Sequence, residues 1–241
     1  MGEAALWGAI GASSLFIGAI AGLVAPIPRT AIGLILAFGA GTLISALAFE
    51  LTDEAFKVGG ADAVTIGLAA GALAYFVGDL MIERGGGGSR MSSERGAGGS
   101  ATPLLLGAVL DGIPESAVIG ITLLEGGSVG VPVLAAVFLS NLPEALSSSK
   151  GMKQAGQSAR HVLGVWAVVV AVSGLSAGLG FAFLDGASGN AIGLIQAFAG
   201  GAVLTMLVDT MLPEAYERAR KWAGLATVLG FALAYLLSTL E

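Results

Sequence analysis

Apolar residues run along this chain in eight segments, at roughly 4–24, 30–49, 61–82, 102–124, 129–148, 161–184, 187–211 and 223–240. Each is close to the ~20 residues that carry a helix across a bilayer. The runs are nearly continuous and lack the strict alternation of barrel strands. Lipid offers backbone groups no hydrogen-bond partners, so the pattern predicts an all-α integral membrane protein with eight transmembrane helices, here called spans 1 to 8. Composition fits that reading, with 55% hydrophobic and 12% charged residues against about 25% charged in soluble domains. The 39 glycines would weaken soluble helices, but in lipid small residues let helices approach closely. No basic stretch precedes the first apolar run, so residues 4–24 read as a first span rather than a cleaved leader.

The polar positions between the runs set the topology. Loops beyond the odd spans hold Arg29, Arg84, Arg90, Arg95, Lys150, Lys153, Arg160, Arg218, Arg220 and Lys221, while the side of the termini holds only Lys57. The positive-inside rule then puts both termini outside the cytoplasm, as expected of a multi-pass protein of the plasma or inner membrane. Residues 85–101, rich in Gly and Ser, read as a flexible cytoplasmic loop. Its GGGG at 85–88 lacks the GK[ST] ending of a phosphate-binding loop.

A second regularity is internal. AIGLILAFGAGTLISALAFELTDEA from residue 31 matches AIGLIQAFAGGAVLTMLVDTMLPEA from residue 191, and GALAY at 71–75 matches FALAY at 231–235. Spans 1–3 (residues 1–84) therefore repeat as spans 6–8 (residues 161–241), around spans 4 and 5 (residues 102–150) in a single domain. Five spans separate the two starts, an odd number, so the copies are expected to be inverted, as in many transporters.

The candidate chemistry lies between the repeats. LDGIPES at 110–116 and LSNLPEA at 139–145 share a Pro-Glu pair. Each proline removes a helix donor, is expected to break its helix, and leaves the carbonyl of Leu110 or Leu139 without its usual partner. Asp111 precedes Glu115, and Ser140 precedes Glu144, by one turn on the same face. A carboxylate at mid-membrane costs about 2.5–3.5 kcal/mol on insertion scales. The apolar segments 102–124 and 129–148 hold no Lys or Arg, so bound cations or protons must answer these charges. Asp111, Glu115 and Glu144, with Ser140 and Asn141 as neutral oxygen ligands, form the candidate metal site.

These twin motifs resemble those of the ZIP (ZRT/IRT-like) metal transporters, whose patterns are close to HNxPEG and HExPEG. The resemblance extends to eight spans, external termini and inverted three-helix repeats. It implies transport of divalent cations of the zinc, manganese, iron or cadmium class into the cytoplasm by alternating access. Spans 1, 4, 5 and 6 would move against spans 2, 3, 7 and 8. Asp111 and Ser140 stand where the family usually has histidine, and Gly112 and Asn141 occupy its second-site positions. An all-oxygen shell suits manganese, magnesium or calcium, whereas zinc favours nitrogen and sulfur.

Further carboxylates qualify as relay ligands at the way in and the way out: Glu50 and Glu54 at the end of span 2, Asp209 and Glu214 at the end of span 7. Glu50 and Asp209 are expected to lie deeper. Glu217 is placed to pair with Lys221, and Asp79 with Arg84. Asp185 and Asn190 are expected to shape a turn. Trp7, Trp166 and Trp222 read as interfacial anchors, and His161 as an interfacial side chain. With no cysteine and one histidine, thiolate zinc sites and an HExxH protease are excluded, and no enzymatic activity is expected. The metal is cargo, not a cofactor. Membrane lipid and divalent ions are the expected partners, with a homodimer an open arrangement and no nucleic acid. A proton- or sodium-coupled carrier of another solute, or a passive divalent-cation channel, remain the alternatives.

Overall fold

The computed structural model describes residues 1–82, 84, 101–126 and 129–239, with 101–107 and 125–126 described by backbone course alone. The cytoplasmic loop expected at 85–101 therefore lies almost wholly outside the described residues. Helices dominate and no strand occurs among the described residues: α1 (Gly2–Val24), α2 (Arg29–Ala46), α3 (Asp53–Ile82), α4 (Ala101–Gly126), α5 (Val131–Gln154), α6 (Ala159–Leu184), α7 (Gly189–Met206), α8 (Leu212–Ala219) and α9 (Trp222–Ser238). Among the described residues, five helical runs are long and apolar enough to cross a membrane: Gly2–Val24, Arg29–Ile82, Val131–Gln154, Ala159–Leu184 and Gly189–Ala219. The chain is a multi-pass membrane protein.

Residues 50–60, which lie between spans 2 and 3, are helical almost throughout. A π-helical turn at Leu47–Thr52 joins α2 to α3, and the helical path breaks only at Gly60, with φ 75° and ψ −178°. That conformation is open to glycine almost alone. The acidic residues expected at the end of span 2 lie on a helical turn, in which Lys57 Nζ lies 2.9 Å from Asp53 and 3.2 Å from Glu54. A second π-helical turn, Leu207–Met211, joins α7 to α8 in the same way.

The helices form two packed groups. In one, α5 runs along α1 and α6 along α4, with α1 also against α6; in the other, α3 packs along α7 and α2 along α9 and against α8, while α2 also meets α5 across the two groups. Small residues set these contacts. A Cβ at Gly41 would collide with the Thr227 carbonyl of α9, and one at Gly201 with the Leu68 carbonyl of α3. Contacts rise together in sequence, Gly11 with Val137 and Gly22 with Leu146, Gly112 with Ser173 and Gly120 with Ala177. The pairs α1–α5 and α4–α6 are therefore parallel.

Polar groups reinforce the first group. Lys150 Nζ donates to the Ile27 carbonyl at 2.8 Å and Lys153 Nζ to the Leu23 carbonyl at 2.5 Å, so the end of α5 satisfies carbonyls at and beyond the end of α1. Trp166 is not an interfacial anchor. It is buried, and its Nε1 donates to Ser149 Oγ on α5 at 2.7 Å, which gives the indole a partner inside the bundle. Trp222 does sit exposed at the start of α9. The turn between α6 and α7 uses Gly186 at φ 78° and Ser188, whose side chain accepts from the Ala191 N–H, as the cap of α7.

Candidate metal site

Both motif helices run through their prolines. Pro114 lies inside α4 and Pro143 inside α5, and neither breaks its helix. Packing explains the difference, because neighbouring helices compensate the disrupted ladder in a membrane bundle. Around Pro143, α5 lies against α2, where a Cβ at Gly39 would sit 3.0 Å from Ser140 Cα and 3.2 Å from the Leu139 carbonyl.

On α4, Asp111 and Glu115 lie one turn apart and are 7% and 3% exposed. On α5, Ser140 and Asn141 are buried and Glu144 is half-buried. Ser140 Oγ donates to the Val137 carbonyl at 3.0 Å, which uses its proton within the helix and leaves its lone pairs for a ligand. Asp111 accepts a 2.7 Å hydrogen bond from Tyr75 Oη, reaching across from α3. Glu115 Oε2 is buried with no hydrogen-bond partner among the described residues.

Glu115 borders a small cavity of 20 Å³ whose other walls are Leu43, Ala46, Leu47, Leu51, Val118, Val133, Val137 and Val203. The volume would admit one water, but these walls offer none of the further polar partners that a buried water needs. The carboxylate thus meets an apolar enclosure built by the π turn of α2, by α5 and by α7. Val133 and Val137 face it from α5, and Asn141 and Glu144 continue the same helical face at the i+4 and i+7 positions from Val137. The α5 motif thereby shares a face with residues that meet Glu115. Among the described residues no three His, Cys, Asp or Glu side chains gather closely enough to hold an ion.

The outer carboxylates take different positions. Glu50, in the first π turn, is half-buried, whereas Asp209, in the second, is exposed, so the two are not equally deep. Glu54 is paired with Lys57. Glu214 lies 2.7 Å from Arg218 Nη2 and accepts from Ser147 Oγ at 2.6 Å. His161 is exposed in the first turn of α6, where Ser158 caps its N–H.

Tyr75, Ser147 and Arg218 were not legible as site residues. Only the repeated GALAY and FALAY strings marked Tyr75, and they mark Tyr235 equally.

No family model matches the chain. A curated protein of Arabidopsis thaliana described as "Putative zinc transporter" is 27% identical over 191 residues, which cover 78% of this chain and 30% of that protein. The chain thus spans about a third of the length of this relative.

Proposed function

We propose that this protein carries divalent metal cations, of the zinc, manganese, iron or cadmium class, into the cytoplasm by alternating access, as a variant of the ZIP type. The observation that carries the reading is the pair Asp111 and Glu115, buried one turn apart in a helix of bilayer length with no Lys or Arg anywhere in its sequence. Two carboxylates buried one turn apart, on a helix whose sequence holds no Lys or Arg, favour a bound cation. The zinc transporter name of the Arabidopsis relative supports the same cargo class.

In this reading Asp111, Glu115 and Glu144 bind the ion with Ser140 and Asn141, and Glu144 closes on the α4 pair when the ion arrives. The Tyr75 hydroxyl holds Asp111 in position between ions. Eight spans and an inverted repeat account for the helix directions. Contacts advance together along α3 and α7, from Gly67 with Leu194 to Gly71 with Phe198, and along α2 and the α8–α9 segment, from Gly33 with Ala219 to Gly41 with Thr227. Parallel pairing of spans 3 with 7, 2 with 8, 1 with 5 and 4 with 6 is what an eight-span up-and-down path requires. The group holding α4 and α5 would then move against the group holding α2 and α7, its ligands staying together.

Uptake of a panel of divalent ions into vesicles reconstituted with the purified protein, with and without a pH gradient, tests the proposal. Accumulation of at least one transition metal above empty vesicles is expected. Its absence, with accumulation of an organic solute instead, would contradict the reading. Asp111→His should shift the ranking toward zinc and away from manganese by supplying a nitrogen ligand.

A further inference from the structure

Three serines stand in a row on α5, and two of them turn to opposite sides. Ser149 accepts from Trp166 on α6, within its own helix group, whereas Ser147 crosses to the other group. Ser147 Oγ donates to Glu214 Oε1 at 2.6 Å and accepts from Arg218 Nη2 at 2.8 Å, and Arg218 Nη2 lies 2.7 Å from Glu214 Oε1. The three groups close a ring between α5 and α8. The Arg218 side chain is only 9% exposed, and a Cβ at Gly33 of α2 would touch Arg218 Cβ at 2.6 Å, so α2 backs the arginine.

Position gives the ring its meaning. Ser147 follows Glu144 by three residues, one turn along the same face of α5. An ion leaving Glu144 along this face meets the ring next. There the Glu214 charge is already answered by a guanidinium in a partly buried, charge-assisted contact, the kind that is strong and directional. Besides the Tyr75–Asp111 bond, this ring is a side-chain link that ties the two helix groups together, and relative motion of the groups must break it.

We infer that Ser147, Glu214 and Arg218 form a latch between α5 and α8 that closes the route along α5 beyond Glu144, Arg218 being a tethered cation that yields Glu214 to an arriving divalent ion. The identity of the ion rests on the function proposed above; the latch does not. Arg218 is a positioning residue, acting through Glu214.

The chain has no cysteine, so a single Ser140→Cys reports access to the buried face. Its labelling by a charged thiol reagent is followed in nanodiscs without metal, in the parent and in Arg218→Gln, Arg218→Lys and Ser147→Ala backgrounds. Circular dichroism and gel filtration verify the fold of each. Labelling should quicken about tenfold in Arg218→Gln and by a smaller factor in Ser147→Ala, as an open minor state gains population. Arg218→Lys, which keeps the charge but loses the planar guanidinium whose Nη2 meets both Ser147 and Glu214, should fall between parent and Arg218→Gln. Parental labelling rates in both folded Arg218→Gln and Ser147→Ala would overturn the latch. Absence of metal uptake by the wild-type vesicles would overturn the functional reading alone, because the labelling is read without metal.

Discussion

Between residues 29 and 82 the backbone follows a course that residues 189–238 take again, 160 positions later along the sequence. α2 begins at Arg29 and α7 at Gly189, and π turns start at Leu47 and Leu207. The path then breaks at Gly60 and at Arg220, both with positive φ, 75° and 52°. Close helix contacts recur too, Gly41 on the Thr227 carbonyl and Gly201 on the Leu68 carbonyl. The polar residues do not follow this plan. Tyr75 donates to Asp111, while its counterpart Tyr235 packs against the ring of Phe49 at 5.0 Å. Glu54 pairs with the exposed Lys57, while its counterpart Glu214 is locked to Ser147 and Arg218. The two matching stretches share helix starts and close glycine contacts, while their polar residues act unequally.

The shared scaffold can be broken at its glycines. Gly41→Val and Gly201→Val each force a side chain into a facing backbone carbonyl, where relaxation must move a whole helix. Each should lower stability by 3 kcal/mol or more, at or beyond the upper end of the ~1–3 kcal/mol usual for overpacking. Thermal unfolding in detergent should show similar losses for the pair, and tolerance of either one would mean that the copies do not pack alike.

The unequal chemistry can be sharpened at the tyrosines. Tyr75→Phe removes the hydroxyl that Asp111 accepts and should cost about 1–2 kcal/mol. Metal affinity should change with it, because Asp111 loses the group that orients it. Tyr235→Phe should stay within about 0.5 kcal/mol. Equal effects in thermal unfolding and in manganese titration would erase the distinction between the copies.

The smallest effect belongs to the backbone break. Arg220 adopts φ 52° and ψ −138°, a conformation that costs a residue bearing a Cβ about 1–3 kcal/mol. Arg220→Gly relieves that strain but loses about 0.5–1 kcal/mol to the freer unfolded chain. A net gain of ~1 kcal/mol is expected, with a matching loss for Gly60→Ala, where nothing lies within 4 Å of the added Cβ and strain alone acts. Melting midpoints moving in the same direction for both would show that the two breaks are not equivalent.

Much of the helical course was legible because lipid imposes long apolar runs. Glu50 and Glu54 were legible as acidic residues at the end of span 2, but the π turn that carries the helix on through them leaves no mark in the sequence. Trp166 was misread. An aromatic near a span end suits the interface, and only tertiary structure reveals that Ser149 meets its N–H. On α4 and α5 the motif residues stood out because a carboxylate in an apolar run is costly. Tyr75 did not, since a tyrosine in such a run costs little and carries no pattern. Lys150, Lys153 and Arg218 were counted as basic loop residues, whereas they lie in α5 and α8, and their binding of the Ile27 and Leu23 carbonyls and of Ser147 depends on partners distant in sequence.

The most direct test is metal uptake by Glu115→Ala and Glu144→Ala beside the wild type in sealed vesicles, with equal insertion and unchanged helicity verified first. Loss of uptake in both variants, each lacking an anionic ligand rather than a packing group, is the expected result. Uptake at the wild-type rate by either folded variant would contradict the assignment of the ion path to α4 and α5.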